Sequence, residues 1–161
     1  MIKTSLFAAV LLMAASGLAS AGGQPGSIGV GAEAQINGTG GASLNYDAGE
    51  FHVGGFLGFF DPDGADNTEF DVGARFYYHV HSTAMADFGI GGSLGIASLP
   101  DAGGDDRQTA VFIEPGAQIR LFLAANVAVS AATGVVIGVV DASGVAITGQ
   151  TITAGLHYYF F

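Results

Sequence analysis

The sequence predicts an all-β protein, an eight-stranded antiparallel up-and-down β-barrel that crosses a membrane. Three observations lead to this prediction. Apolar and polar residues alternate in eight segments, short turns alternate with mostly longer connections, and one face of every segment is free of charge. Alternation with a period of two is typical of a strand with two different faces. A charge-free face on every strand is expected where strands meet lipid.

The eight segments follow one another along most of the chain. In the fourth, Phe70, Val72 and Ala74 alternate with Asp71 and Arg75. Short turns are predicted at 48–49, 81–82 and 125–126, and longer connections at 61–67, 98–108 and 140–148. Short turns at one end and longer loops at the other are typical of a membrane barrel. The predicted strands lie near 27–36, 40–46, 51–60, 68–79, 84–97, 109–123, 127–139 and 149–160.

The amino-terminal residues 1–21 are predicted to be a signal peptide that is removed after export. A basic start at Lys3 precedes an apolar run over 6–18 and the small residues Ala19 and Ala21. This order is that of a secretory leader. A transmembrane anchor is the alternative, but the run is shorter than the roughly 20 residues that cross a bilayer. The mature barrel domain is then expected over 22–161.

The charge of the chain argues against nucleic acid as a partner. The chain has fourteen acidic and four basic residues, so its formal net charge is −10. Its only lysine is Lys3 in the predicted leader. Binding to phosphates requires Lys and Arg. The sequence has no cysteine, so neither a disulfide nor a lipoprotein anchor is expected.

The uncharged face is predicted to point outward. The opposite face carries the strand acids, Arg75, Arg120 and many glycines. A soluble lipocalin-like barrel is the alternative, and it would show the reverse arrangement. Aromatic residues on the uncharged face lie near strand ends, as in the girdles at membrane interfaces. They are Tyr46, Phe51, Tyr78, Tyr158 and Phe160 at the turn end, and Phe59 and Phe70 at the loop end.

The last strand resembles the C-terminal signal by which barrels are handed to their assembly machinery. Gly155 is followed by alternating apolar residues that reach Tyr158 and Phe160, and Phe161 follows the usual last position. With its leader and strand pattern, the chain resembles the small eight-stranded outer-membrane family of the outer-membrane protein A barrel, protein X and opacity-type proteins. The resemblance implies a location in the bacterial outer membrane. It also implies contacts with lipid and lipopolysaccharide, the secretion translocon and the assembly machinery, and we expect a monomer.

The inward charges are predicted to form a cluster in the lumen. Eight strands leave an interior that side chains just fill, and inward glycines make room for Phe56, Phe60, Tyr77, Phe112, Phe122 and Tyr159. The expected charge cluster comprises Arg75, Asp87, Arg120, Glu114 and Glu33, with the inward histidines His52, His79 and His157 available as partners. A loop that closes symmetrically about 103–104 would place Asp87 opposite Arg120, and a turn at 81–82 would bring Arg75 to Asp87. We interpret the cluster as a polar core, and the resemblance offers an ion-pair gate as the alternative.

Two further groups of residues are candidate sites. The acidic loop with Asp61, Asp63, Asp66 and Glu69 begins like a calcium loop, but its spacing departs from the twelve-residue pattern, so a solvated loop is preferred. The run of His79, His81 and Ser82 is the one local His/Ser grouping, and it is predicted to form a turn.

We therefore expect no catalytic site, cofactor or resident metal. The expected function is that of a structural, surface-exposed component of the cell envelope with a plugged lumen. The alternatives are an enzyme that modifies outer-membrane lipid and a narrow channel for small solutes.

Overall fold

The computed structural model describes residues 23–35, 40–61, 68–100, 107–140 and 144–161, and the predicted signal peptide lies outside them. These residues form a closed barrel in which each strand pairs with its sequence neighbours and β1 pairs with β8. All eight pairings are antiparallel, which confirms the predicted fold class. The strands are β1 (Ser27–Gln35), β2 (Gly40–Asp47), β3 (Phe51–Phe60), β4 (Glu69–Ser82), β5 (Ala86–Pro100), β6 (Arg107–Ala124), β7 (Val127–Val140) and β8 (Gly144–Phe160).

The short turns lie at one end of the barrel, and one of them differs from the prediction. The chain does not reverse at His81 and Ser82, because β4 continues to Ser82 and the turn spans 83–85. There the Thr83 hydroxyl accepts a hydrogen bond from the Ala86 amide at 3.0 Å. The register also shifts between His79 and His81, which makes Val80 an extra residue in the strand. The prediction was wrong because neither the bulge nor the side-chain bond interrupts the alternation of the sequence.

The turn between β2 and β3 is held by local bonds. Gly49 has a φ of 90°, a backbone conformation that glycine adopts without steric cost. The Gly49 amide donates to Asp47 Oδ1 at 2.8 Å. The Ala48 amide donates to the carbonyl of Phe51 at 2.8 Å. This turn therefore fixes Asp47 and the Gly49 carbonyl at the mouth of the lumen.

The two faces of the wall differ as the alternation predicted. In β4, Asp71, Tyr77 and His79 are buried, whereas Phe70 and Tyr78 are exposed. From Phe70 to Tyr78 is roughly 26 Å along the strand at about 3.3 Å per residue. With a tilt of about 40°, this is roughly 20 Å along the barrel axis, close to the apolar height of an outer membrane. Among the described residues, no helix is long and apolar enough to cross a membrane.

Candidate functional site

Inward aromatic rings fill the lumen because glycines lie directly across the ladder from them. Phe56 faces Gly73, Phe112 faces Gly95, Tyr77 faces Gly91 and Tyr159 faces Gly29. A Cβ on Gly29 would lie 2.7 Å from the Tyr159 ring, so only glycine fits there. Phe60 departs from the prediction. It is 51% exposed at the end of β3 and contributes to the rim instead of the packed interior.

The lumen next to the short turns, called the turn half below, is organised around Arg120. Its Nη2 atom lies 2.7 Å from Asp47 Oδ2 and 2.7 Å from Asp87 Oδ2. Its Nη1 atom donates to the Tyr159 hydroxyl at 3.1 Å, and its guanidinium lies 5.3 Å from the centre of the Phe122 ring. All five side chains are buried. One cation is therefore shared by two carboxylates in a water-poor environment, where a charge needs such partners.

Two histidines extend this network to the β2–β3 turn. His79 Nδ1 lies 2.7 Å from the Gly49 carbonyl, while its Nε2 lies 3.1 Å from Arg120 Nη2 and 2.8 Å from His52 Nδ1. A carbonyl only accepts and a guanidinium only donates. These contacts therefore place the proton of a neutral His79 on Nδ1 and that of His52 on its Nδ1. In this way the turn, two rings and Arg120 form one hydrogen-bonded chain.

The lumen nearer the loops, called the loop half, is organised around Arg75. Its guanidinium makes two parallel contacts with Glu33, one through Nη1 at 2.5 Å and one through Nη2. Such bidentate pairs are stronger than single hydrogen bonds. The Arg75 guanidinium also lies 4.8 Å from the centre of the Phe56 ring. Nearby, Glu114 Oε2 accepts a hydrogen bond from the Ser93 hydroxyl at 3.0 Å.

A cavity borders the Arg75 pair in the loop half. Its volume is about 40 Å³, room for roughly three water molecules. Polar groups of Asp71, Glu114 and Tyr77 line it together with Glu33 and Arg75. The loop half is therefore a small polar compartment, whereas the turn half is tightly packed.

A serine, a histidine and a carboxylate meet between the two halves, which the sequence did not suggest. Ser43 Oγ lies 2.5 Å from His157 Nε2, and Glu33 Oε1 lies 3.4 Å from the same nitrogen. In a Ser–His–acid catalytic set, the acid binds Nδ1 and the nucleophile binds Nε2. Here the Ser43 hydroxyl and the Glu33 carboxylate both contact Nε2 of His157. Ser43 and His157 are only 5% and 3% exposed. The arrangement is a buried hydrogen-bond group without the geometry of a nucleophilic site.

The predicted charge cluster is divided in two by the structure. Asp87 faces Arg120 across β5 and β6, as expected from a symmetric loop. The expected contact between Asp87 and Arg75 is wrong, because Arg75 faces Ser93 and Asp87 faces Ser82. β4 continues to Ser82, so the turn lies at 83–85 instead of 81–82 and Asp87 pairs near the end of β4, far along the strand from Arg75. Glu33 then becomes the partner of Arg75.

Asp47 was missing from the predicted cluster, whereas His52 and His79 were expected to be available inside the lumen. Asp47 continues the inward polar series of Ser43 and Asn45, and this alternation could have identified it. The alternation along β3 and β4 predicts that His52 and His79 point inward. Their contact with each other depends on the register between these two strands.

The other predicted groups are placed as follows. In the acidic loop, Asp63 and Asp66 lie outside the described residues, and Asp61 accepts a hydrogen bond from Thr68 at 3.0 Å. Among the residues that the structure describes, no group of three or more His, Asp or Glu side chains could hold a metal ion. In the predicted assembly signal, Gly155 lies inward, Tyr158 and Phe160 are exposed on the outside, and Phe161 is exposed just beyond the end of β8.

Comparisons with known proteins give a structural match without a sequence match. No family model matches the chain, and no curated protein matches it. The fold is similar to the crystal structure of the N-terminal β-barrel domain of Pseudomonas aeruginosa OprF, with a TM-score of 0.66 and 14% sequence identity. The match covers 84% of this chain and 98% of that one. At this identity the likeness shows the fold, a small eight-stranded barrel.

Proposed function

We propose that this protein is an integral component of a bacterial outer membrane. The observation that carries the proposal is the inverted polarity of the barrel. Among the described residues, twelve buried residues are polar or charged and six are hydrophobic, while large apolar side chains are exposed around the outside. A protein dissolved in water buries its apolar residues. An apolar exterior with a polar interior is typical of barrels in the outer membrane.

The location is supported by two further features. The fold is similar to that of the N-terminal β-barrel domain of Pseudomonas aeruginosa OprF. The predicted leader and the terminal aromatic residues Tyr158, Phe160 and Phe161 fit export and assembly. Contacts with lipopolysaccharide and with the assembly machinery belong to the same proposal.

The location is tested by cell fractionation and gel migration. The folded barrel should be in the outer-membrane fraction, migrate differently after heating, and resist external protease because its strands close into a barrel that lipid surrounds. Replacing Phe160 and Phe161 by serine should reduce assembly, and Ala48→Ser in a turn is the control. Folded protein in the soluble periplasm would contradict the proposal.

We further propose that the barrel has a structural or surface-presenting role, without catalysis and without an open pore. The packing around Arg120, Phe122 and Tyr159 supports this role, with the Phe122 and Tyr159 rings 6.0 Å apart. Purified protein in planar bilayers should show no ion current, and Phe122→Ala should introduce one by removing a ring from the packed half. Stepwise current through the unmodified protein would favour a channel instead.

A further inference from the structure

The contact between β6 and β7 is interrupted at Pro115. Register partners are Ile113 with Ile137 on one side and Gly116 with Gly134 on the other, which leaves Glu114 and Pro115 without registered partners on β7. Within the described strands, Val136 has no register partner on β6 or on β8. The β5–β6 ladder is continuous through the same residues, since Gly92 pairs with Pro115 and Ser93 with Glu114.

The missing hydrogen bond can be assigned from the backbone. A Cβ on Gly134 would lie 2.8 Å from the Pro115 carbonyl oxygen, so this carbonyl faces β7. In an antiparallel ladder, the amide and carbonyl of one residue point to the same neighbouring strand. Proline has no amide hydrogen. The donor that β7 lacks is therefore the one that Pro115 would supply, and the register places Val135 opposite it.

Different environments meet across this interruption. On the inside, Glu114 lines the polar cavity. On the outside, an apolar recess of about 360 Å³ lies over β4, β5 and β6 and reaches Pro115 at the edge of the interruption, and its lining includes Phe76, Leu94 and Ile113. Within a bilayer, an unpaired backbone group is costly unless it lies in protein or borders water. The cavity is the nearby place where water can reach the unpaired group.

We propose that the β6–β7 contact at Pro115 is a lateral seam, the place where the barrel wall opens between the polar cavity and the apolar interior of the bilayer. This inference rests on the proposed membrane location. A wall that has lost a ladder bond opens locally at a lower free energy than a wall that is fully paired. The seam gives molecules dissolved in the bilayer a route to Glu114 that does not pass through the loops.

The test uses single cysteines, because the chain contains none of its own. Glu114→Cys reports on the inner side of the seam. Gln118→Cys is the matched control, since Gln118 points inward on the same strand but pairs regularly with Ala132. Ile119→Cys, on the outside, reports whether the barrel is in the bilayer. Each variant is placed in phosphatidylcholine vesicles and treated with pyrenyl maleimide dissolved in the lipid, or with a charged, water-soluble maleimide.

We expect the lipid-dissolved reagent to modify Glu114→Cys at least about tenfold faster than Gln118→Cys, because local opening sets the rate. Adding Pro115→Thr restores an amide donor. It should slow this reaction by about two- to tenfold, the factor for one net hydrogen bond, and leave the reaction with the water-soluble reagent unchanged.

The outcomes distinguish a failure of the proposed seam from a failure of the proposed membrane location. If Ile119→Cys reacts with the lipid-dissolved reagent but Glu114→Cys does not exceed Gln118→Cys, the seam is overturned and the location stands. An unchanged rate after Pro115→Thr also overturns the seam, because entry then occurs through the loops. Failure of Ile119→Cys to react overturns the location itself.

A second measurement needs no substitution. In the unmodified protein in vesicles, the Val135 amide, which faces Pro115 across the seam, should exchange with deuterium at least about tenfold faster than the Thr133 amide, which faces β6 in a regular part of the same strand. Equal protection of the two amides would overturn the seam.

Discussion

The two halves of the lumen each hold a buried arginine, but in different surroundings. Arg120 lies between Asp47 and Asp87 and contacts His79 and Tyr159. Arg75 pairs with the single carboxylate of Glu33 beside a cavity. Water in the cavity can solvate a charge that loses its partner, whereas the packed turn half offers no such replacement. The environment of an ion pair, more than its presence, therefore decides how much the barrel depends on it.

The largest effect is expected at the arginine of the turn half. Arg120→Met leaves the carboxylates of Asp47 and Asp87 buried without a cation, and it should lower the free energy of unfolding by about 3–5 kcal/mol. Urea unfolding in lipid vesicles measures this change. Removing Asp87 together with Arg120 should recover part of the loss, and additivity of Asp87→Ala and Arg120→Met would show that the contact carries no coupling.

An outward arginine tests whether the difference is confined to the lumen. Val72→Arg in the loop half and Ile119→Arg beside Arg120 both enter the lipid face, where the two residues are 41% and 42% exposed. Each should lower the free energy of unfolding by about 2–4 kcal/mol, the scale for arginine near the bilayer midplane. Gln118→Arg is the inward control. If arginine is tolerated equally well at 118 and 119, the assignment of the two faces is wrong.

Replacing one glycine in each half by alanine compares how tightly the two halves are packed. Gly29→Ala brings a Cβ against the Tyr159 ring and should lower the free energy of unfolding by about 1–3 kcal/mol, the range for overpacking. At Gly138, on the inside near the loops, the nearest atom would be 3.7 Å away. Gly138→Ala should therefore be neutral, or stabilise the barrel by up to about 1 kcal/mol by reducing the entropy of the unfolded chain. The reverse order would contradict the difference in packing.

The smallest loss is expected at the arginine of the loop half. Arg75→Met leaves Glu33 with His157 at 3.4 Å and with the water-sized cavity beside it. The free energy of unfolding should fall by about 1–2 kcal/mol, between the values for a neutral and for a charged hydrogen bond, because water in the cavity replaces part of the contact. Measured in the same vesicles as Arg120→Met, a loss as large as that of Arg120 would remove the distinction between the halves.

The architecture could be predicted from the sequence because it depends on local patterns. Side chains alternate between the faces of a strand, so the residues around Asp71 and Phe70 identify inside and outside without knowledge of their neighbours. Turn residues separate the segments, and a symmetric loop was enough to place Asp87 opposite Arg120. For the lumen, the same alternation also indicated which residues point inward.

Which inward residues touch was decided by the tertiary structure. The turn between β4 and β5 lies at 83–85 instead of 81–82, which moves the pairs of the two strands along β5, and the bulge at Val80 shifts the pairs beyond it by one residue. The later turn separates Arg75 from Asp87, and closure of β1 on β8 brings Glu33 to within reach of Arg75 and His157. The effect of Pro115 likewise depends on the side to which its amide would point. Alternation is a property of one strand, whereas register is a property of two, and the sequence by itself determined only the first.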